Sequence, residues 1–320
     1  MAVLLGLLAV LGYSFTLPAT RLAVADLDPA FVGLGRAAVA AVPAALLLVA
    51  VRGPTPTRSQ AARLVVVAIG VVLGFPLLSA VALQELTAAH GAVIVGLLPA
   101  ATAVMAVVRA GERPSGGFWA ASIAGLVAVV AFAASQGAGL PTTADLLVLA
   151  AVVVCAVGYA EGGALARELG GWQVICWALV LSAPLVAPPT LIAAGRGLHA
   201  GGDAWLGFAY VSLVSMFLAF FAWYAALARG GVAKIGQVQL AQPVLTLGWS
   251  AALLGEHVGA STIVAAGAVL ASVVATQRSR VSRAPRPEPT RAPPARRGGR
   301  QRASGRAGGT PASRPRRSEA

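Results

Sequence analysis

The amino-acid sequence predicts an all-α integral membrane protein whose ten transmembrane helices form two inverted five-helix repeats. Three observations lead to this fold class: the composition, a series of long apolar runs, and an internal match at a fixed offset. Of the 320 residues, 58% are hydrophobic and 11% are charged, and the mean hydropathy is +0.81. Soluble domains carry roughly 25% charged residues. So few charges could not cover the surface of a water-soluble fold of this size.

The apolar runs are long enough to cross a hydrocarbon layer, which takes about 17 to 25 helical residues. Their hydropathy is continuous and does not alternate, which argues against strands. Backbone groups in lipid must be satisfied within their own segment, which favours helices. The ten expected spans are residues 2–18, 29–51, 64–83, 88–108, 118–134, 146–160, 172–194, 204–227, 232–254 and 260–276.

The basic residues between the spans predict the orientation of the chain. The even-numbered loops contain eight Lys or Arg residues, whereas the odd-numbered loops contain only Arg21 and Arg196. Cytoplasmic loops of membrane proteins carry an excess of basic residues. We therefore expect a multi-pass protein of the cell (inner or plasma) membrane with both termini in the cytoplasm.

Residues 278–320 differ from the rest of the chain, because they hold 13 of its 24 basic residues and no aromatic residue. A segment rich in Arg, Pro and Gly buries too little apolar surface to order itself, which predicts a disordered cytoplasmic tail. An electrostatic tether to anionic lipid and a solvated extension both fit this composition. The lack of aromatic residues between the charges argues against specific nucleic-acid binding.

The internal match predicts the two repeats. Glu112 follows Pro99 by 13 positions and Glu256 follows Pro243 by 13 positions, each Glu after a Gly. Further pairs, offset by 146 positions, are Gly12-Tyr13 with Gly158-Tyr159 and Arg21 with Arg167. Each copy holds five spans, and an odd number of spans inverts the second copy, as in many secondary transporters. The expected organisation is a first repeat at 1–135, a linker at 136–144, a second repeat at 145–277 and the tail at 278–320.

This ordered set of motifs resembles the drug/metabolite transporter superfamily, specifically its EamA-type families with two five-helix repeats. The residues that carry the resemblance are Arg36, Thr87-Ala88-Ala89-His90-Gly91, Pro99, Gly111-Glu112-Arg113, Gln242-Pro243 and Gly255-Glu256. The resemblance covers residues 2–277. It implies ten helices, cytoplasmic termini and transport of small metabolites, with amino acids or related compounds and export as expectations. The second half departs from the pattern, because Trp177 takes the approximate place of Arg36.

The candidate substrate-pathway residues are polar groups at membrane depth. A charge at the depth of Arg36 costs at least about 2.5 kcal/mol, so Arg36 should capture an anionic group such as a carboxylate, lock helices together, or snorkel to the interface. Pro99 and Pro243 should kink their spans and free carbonyls on the transport path, or serve packing alone. Gln239 and Gln242 share a helix face, which should line a cavity or bond neighbouring helices.

Aromatic residues and one carboxylate complete the candidate pathway. The aromatic residues line a cavity for aromatic or apolar solutes or anchor the protein at the interface; they are Tyr13, Tyr159, Trp177, Trp223 and Tyr224. Glu161 is the better of two candidates for a proton carrier. A solvated carboxylate near a span end is the other interpretation of Glu161, and it applies equally to Glu85. Glu112 and Glu256 should cap or pair at helix ends.

The sequence contains no phosphate-binding Gly-x4-Gly-Lys-Ser/Thr run, no His-Glu-x-x-His pair and only three histidines. We therefore expect no enzyme, no cofactor and no metal. The expected partners are a small-molecule solute and membrane lipid, with a homodimer left open. An efflux carrier for drugs or lipid-like amphiphiles and a non-transporting membrane scaffold are the alternative functions. An enzyme of lipid intermediates would need convergent titratable groups, which the sequence lacks.

Overall fold

The computed structural model describes residues 1–135, 142–254 and 260–283. Most of these residues are helical, and two short strands complete the fold. The first half contains α1 (Ala2–Ser14), α2 (Thr16–Asp26), α3 (Pro29–Ala50), α4 (Arg58–Val67), a π-helical segment (Ala68–Gly74), α5 (Phe75–Ala82), α6 (Ala88–Val95), α7 (Leu98–Ala110), β1 (Glu112–Pro114) and α8 (Gly116–Ser135). The second half contains α9 (Thr143–Leu169), α10 (Gly171–Ala194), α11 (Gly202–Ala209), a π-helical segment (Tyr210–Leu218), α12 (Ala219–Gly230), α13 (Val232–Gly236), a 3-10 segment (Gln237–Leu240), α14 (Ala241–Leu254), α15 (Ala260–Arg278) and β2 (Val281–Arg283).

The predicted all-α class is confirmed, whereas the number of crossings stays a prediction. Among the described residues, six helices are long and apolar enough to cross a membrane: Ala2–Asp26, Pro29–Ala50, Arg58–Ala82, Thr143–Leu169, Gly171–Ala194 and Gly202–Gly230. Shorter apolar helices cover Leu98–Arg109 and Gly116–Ala128. Helix breaks at 96–97 and at 237–240 shorten the segments that contain them.

The beginning of the predicted disordered tail is ordered, which corrects that prediction for residues 278–283. Arg278 ends α15, and β2 pairs antiparallel with β1, with Glu112 opposite Arg283. Val281 packs on the small apolar cluster that includes Phe118 and Val232. The strand therefore depends on a partner far away in the sequence, a contact that local composition does not reveal. The rest of the predicted tail and the Gly255-Glu256 motif lie outside the described residues.

Each helix pair between the two halves has an equivalent pair in which the halves change places, or joins equivalent helices. The second helices of the halves, α3 and α10, pack together, and the fifth helices, α8 and α15, do the same. The first helix of each half packs on the third helix of the other, α1 on α12 and α9 on α5. The packing between the halves is therefore reciprocal.

Irregular segments also occur at matching places in the two halves. The π-helical segments begin at Ala68 and Tyr210, which are 142 positions apart. The breaks at 96–97 and at 237–240 both interrupt the fourth segment of a half. A π segment leaves its helix locally underwound and is frequent at functional sites.

A glycine pair allows the first helix of the second half to approach the third segment of the first half. A Cβ atom on Gly70 would lie 2.5 Å from the carbonyl oxygen of Val154 and 3.0 Å from the Cα atom of Gly158. Any larger side chain at residue 70 would therefore push the helices apart. Small residues at such crossings let helix backbones pack closely in lipid.

Helix α9 is longer than the predicted span of 146–160, because it continues to Leu169. The extension places Glu161 inside the helix, where the residue is 5% exposed. The interpretation of Glu161 as a solvated carboxylate near a span end is therefore wrong. Glu85, by contrast, is exposed.

Candidate functional site

A small polar cavity lies between the two halves of the described structure. Its lining draws equally on both halves and consists of Tyr13, Thr16, Arg36, Val71, Phe75, Leu98, Cys155, Tyr159, Ser215, Phe220, Gln239 and Gln242. The free volume is about 20 Å³, which is room for about one water molecule. The polar groups of the lining therefore lie close together, with little free space between them. We call it the central cavity.

Arg36 is the charged residue of the central cavity. It is the eighth residue of α3, which places it about 10 Å along the helix axis, and it is only 2% exposed. Its Nε and Nη1 atoms have no hydrogen-bond partner among the described residues. Burial of a charge is costly unless the charge is paired and hydrogen-bonded. The side chain thus offers two unused donors to the cavity.

Aromatic rings form one wall of the cavity and the layer behind it. The ring of Tyr13 lies 5.2 Å from that of Phe220 and 5.9 Å from that of Trp223, both edge to face. The ring of Tyr159 lies 5.1 Å from that of Trp223. Tyr13 and Tyr159 therefore approach the same tryptophan from different halves. Tyr224 lies in the layer behind, 5.4 Å from Phe220.

Two glutamines supply amide groups to the cavity. The Nε2 atom of Gln239 donates to Oε1 of Gln242 at 2.9 Å and to the hydroxyl of Tyr159 at 3.4 Å. The Oε1 atom of Gln239 and the hydroxyl of Tyr13 have no partner among the described residues. The expectation that Gln239 and Gln242 share a face holds, because both line the cavity.

The first helix breaks beside the cavity, and α14 satisfies the carbonyls that the break frees. Phe15 separates α1 from α2. The carbonyl of Tyr13 accepts from Nε2 of Gln242 at 3.4 Å, and that of Ser14 accepts from Oγ1 of Thr246 at 2.7 Å. The hydroxyls of Thr16 and Ser215 lie 2.8 Å apart just beyond the break. The broken backbone is thus held by side chains of the opposite half.

The two prolines differ from the prediction, because neither kinks a continuous helix. Pro99 lies in the first turn of α7, directly after the break at 96–97, and Pro243 lies in the first turn of α14, after the 3-10 segment. Proline fits the first turn of a helix because the amide it lacks would be unpaired there. The Nε2 atom of Gln237 donates to the carbonyl of Pro99 at 2.9 Å. The two discontinuous segments therefore meet at their breaks.

Glu161 forms a separate charged cluster. Its carboxylate accepts from Nε of Arg63, and from Nη2 of Arg109 at 2.6 Å. The Nη1 atom of Arg63 also donates to Glu168 at 2.7 Å. One buried carboxylate thus joins α4, α7 and α9. We call these residues the Glu161 cluster.

Glu112 is the second buried carboxylate with several partners and is 1% exposed. It accepts from the backbone N–H groups of Val232 and Ala233, both at 2.8 Å, and from Nη2 of Arg167 at 3.1 Å. The carboxylate therefore caps the start of α13 and joins the two halves. The expectation that Glu112 caps or pairs at a helix end is confirmed.

The EamA-like transporter family model matches residues 1–134 and again residues 142–277. The chain belongs to the EamA-like transporter family. The Uncharacterized transporter YdeK of Bacillus subtilis (strain 168) is 49% identical over 274 residues, which are 85% of this chain and 96% of that protein. A solved crystal structure shares the fold with a TM-score of 0.69 at 18% identity, over 87% of this chain and 98% of the other. This EamA-like protein is therefore a non-enzymatic, multi-pass membrane transporter.

The predicted pathway residues of this EamA-like transporter fall into three groups. Five line the central cavity: Tyr13, Arg36, Tyr159, Gln239 and Gln242. Trp223 and Tyr224 pack behind its wall, and Pro99 and Pro243 flank the helix breaks. Glu161 and Trp177 lie elsewhere, Glu161 in its own cluster and Trp177 with its Nε1 donating to the carbonyl of Pro54 at 3.2 Å.

Sequence reasoning missed several lining residues. Thr16 and Ser215 are hydroxyl residues inside apolar runs, and this feature could have identified them. Cys155, which lies one helical turn before Tyr159, also lines the cavity. Phe220 carries no such signal, because a Phe in an apolar run that also contains Phe217 and Phe221 has many packing roles.

A second cavity of the EamA-like transporter is an apolar groove of about 590 Å³. Exposed leucines contribute to its lining, which consists of Leu8, Leu11, Gly12, Phe15, Tyr210, Val214, Leu218, Ala219, Ala222, Trp249 and Leu253. The residues come from α1, the second π-helical segment, α12 and α14. Among the described residues, no three His, Cys, Asp or Glu side chains are grouped as metal ligands.

Proposed function

We propose that this EamA-like protein is a secondary carrier that exports small metabolites, amino acids or related compounds, by alternating access between two inverted five-helix halves. The observation that carries the proposal is the central cavity, where the buried charge of Arg36 lies between the halves with no partner for Nε and Nη1 among the described residues. A buried polar site at the interface of two repeats is where secondary transporters bind their solutes.

The reciprocal packing supports two inverted repeats with ten crossings. Each half has a π-helical segment in its third helix and a break in its fourth segment, and the breaks meet at Gln237 and Pro99. Discontinuous helices at corresponding places are typical of transporter binding sites. Two equivalent halves can exchange conformations, and the cavity between them then opens to each side in turn.

The basic residues support cytoplasmic termini in a cell membrane. Arg63 and Arg109 of the even loops meet at Glu161, and Arg167 binds Glu112. Arg196 of the odd loops pairs instead with Asp28 at 3.1 Å. The positive-inside rule assigns the even loops to the cytoplasm. Export and the amino-acid class rest on the family resemblance.

Transport is tested by reconstituting the purified protein into sealed vesicles that contain labelled amino acids. We expect saturable exchange with unlabelled solute outside, and faster net movement in the direction that corresponds to export. Vesicles without protein measure leakage. Fluxes equal to that leakage across a broad panel of amino acids and of the related monocarboxylates and amides would overturn the proposal.

Alternating access is tested with the native cysteine of the central cavity. In the Cys176→Ala variant, Cys155 is the remaining cysteine of the chain. We expect a membrane-impermeant maleimide to label it from either side of the membrane, with solute changing the labelling rate. The Cys155→Ala variant is the matched control, because the remaining Cys176 is buried outside the cavity. Labelling from one side under every condition would contradict the mechanism.

An efflux carrier for drugs or lipid-like amphiphiles is the second candidate. The apolar groove favours it, because a groove lined by α1, α12 and α14 could accept a hydrocarbon tail. Competition by long-chain amphiphiles, with no competition by amino acids, would favour this candidate over the first. Binding without any flux of either class would favour the scaffold.

A further inference from the structure

We propose that the central cavity selects a solute with one net negative charge, a small monocarboxylate with an apolar body, over the corresponding zwitterion or neutral amide. In this assignment Arg36 binds the carboxylate, and Tyr13 is a positioning donor beside it. The inference rests on the proposed function for its site. Within the amino acids and related compounds of that proposal, it favours the monocarboxylates over the zwitterionic amino acids.

The described lining of the central cavity contains a positive charge and no negative one. Arg36 carries a permanent positive charge, and none of the twelve lining residues is Asp or Glu. The nearest carboxylate along α9 is Glu161, two residues beyond Tyr159, and it is bound by Arg63 and Arg109. An anionic solute therefore supplies the counter-charge that the described side chains of the cavity do not.

The carboxylate groups that the structure describes in the surrounding bundle are all engaged or exposed. Asp28 pairs with Arg196, Asp145 with His90, and Glu112 with Arg167. Asp26 accepts from the backbone of Gly201 at 2.9 Å. The remaining described carboxylates are Glu85, Glu168 and Asp203, which are exposed or engaged at the surface. None of them lines the cavity of Arg36.

The unused donors of the cavity match a carboxylate. A guanidinium donates charge-assisted hydrogen bonds to carboxylate oxygens. The Nε and Nη1 atoms of Arg36 lack a partner among the described residues, as does the hydroxyl of Tyr13. Three unused donors thus belong to residues that line one cavity.

The polar groups of the lining distinguish an anionic solute from a zwitterionic one. An ammonium group brings three N–H donors and needs acceptors. Among the described lining residues, the acceptors without a partner are Oε1 of Gln239 and the hydroxyl of Tyr13, and neither carries a negative charge. The ammonium group of a zwitterion would therefore find no counter-charge and would share the cavity with the like charge of Arg36. The rings of Tyr13, Tyr159 and Phe220 instead suit an apolar body.

The test uses matched compounds with one carbon skeleton: 4-methylpentanoate, leucine and 4-methylpentanamide. Binding to the purified full chain is measured from the quenching of tryptophan fluorescence and from the shift in thermal unfolding, and it is repeated with acetate and 3-phenylpropanoate series. We expect the carboxylate to bind at least about tenfold more tightly than the amide and the amino acid, because it gains a charge-assisted pair. Equal or tighter binding of the zwitterion or the amide, or no binding by any carboxylate, would overturn the inference.

Variants then assign the preference to Arg36. We expect Arg36→Lys to retain part of the preference for carboxylate over amide, because the charge remains and the planar guanidinium is lost, and Arg36→Met to abolish the preference. The ratio of the two affinities is informative in any folded variant, and thermal unfolding verifies folding. The matched control is Arg196→Met, which removes the same charge from an exposed site. An unchanged ratio in Arg36→Met would contradict the assignment.

The two proposals fail in different ways. Amino-acid exchange in vesicles without tight carboxylate binding would refute the anion preference and leave the carrier intact. Saturable carboxylate binding that depends on Arg36, without flux of any solute, would refute the carrier and leave the anion site intact.

Discussion

The central cavity and the two buried glutamates differ in how their buried charges are partnered. Arg36 is buried, and its Nε and Nη1 atoms have no partner among the described residues, whereas Glu112 and Glu161 each accept several hydrogen bonds from cationic or backbone donors. A buried charge without its partner is strongly destabilising. Burial alone therefore does not identify a functional charge. A buried charge with partners in the protein stabilises the fold, whereas a buried charge without them is available to bind a ligand.

The largest effect on stability is expected for Glu112→Ala. The substitution removes the acceptor of two backbone N–H groups of α13 and a partner of Arg167, so the free energy of unfolding should fall by about 3 kcal/mol or more. Chemical unfolding of the purified protein measures it. Glu85→Ala, which removes an exposed carboxylate, should change the value by less than about 0.5 kcal/mol. Equal effects of the two substitutions would contradict the conclusion that the partners of Glu112 stabilise the fold.

A smaller loss is expected for Glu161→Gln, which keeps the shape of the side chain and removes its charge. Arg63 and Arg109 then lose their charged acceptor, so the free energy of unfolding should fall by about 1–3 kcal/mol while solute exchange persists. Combining Glu161→Gln with Arg109→Gln should cost less than the sum of the two, because the residues interact. Additive effects would show that Glu161 and Arg109 do not interact. Loss of proton-driven transport with stability unchanged would favour the proton-carrier interpretation of Glu161.

Arg36→Met should change stability in the opposite direction. Replacing a buried, unpaired charge with an apolar side chain of similar length should raise the free energy of unfolding by about 1 kcal/mol or more. Thermal unfolding without solute is the measurement, with Arg196→Met as the exposed comparison. A loss of stability would identify Arg36 as a lock between helices, which is the structural alternative predicted from the sequence.

The smallest effect is expected for Trp177→Phe. The substitution removes the N–H bond to the carbonyl of Pro54 and leaves the central cavity untouched, so the free energy of unfolding should fall by about 1 kcal/mol. The dissociation constant of the solute should stay unchanged. A changed dissociation constant would return Trp177 to the substrate pathway.

Local pattern predicted the helical class, the repeat and five cavity residues, because each depends on the type of residue at a given spacing. A charge such as Arg36 and an amide pair such as Gln239 and Gln242 are conspicuous in an apolar run. The sequence did not show that Trp177 lies outside the cavity, because an aromatic residue near a span end gives the same sequence pattern whether its ring faces a cavity or a loop. Glu161 was ambiguous for the same reason, since its cations come from α4 and α7.

The sequence by itself determined that this chain crosses a membrane, because its charges are too few for water and its apolar runs are long enough for lipid. Only the tertiary structure decided which polar groups are paired. Hydrogen-bond partners such as Gln237 with Pro99, or Glu112 with Ala233, are more than a hundred positions apart in the chain. Their pairing follows from how helices pack in three dimensions, and so does the unpaired state of Arg36.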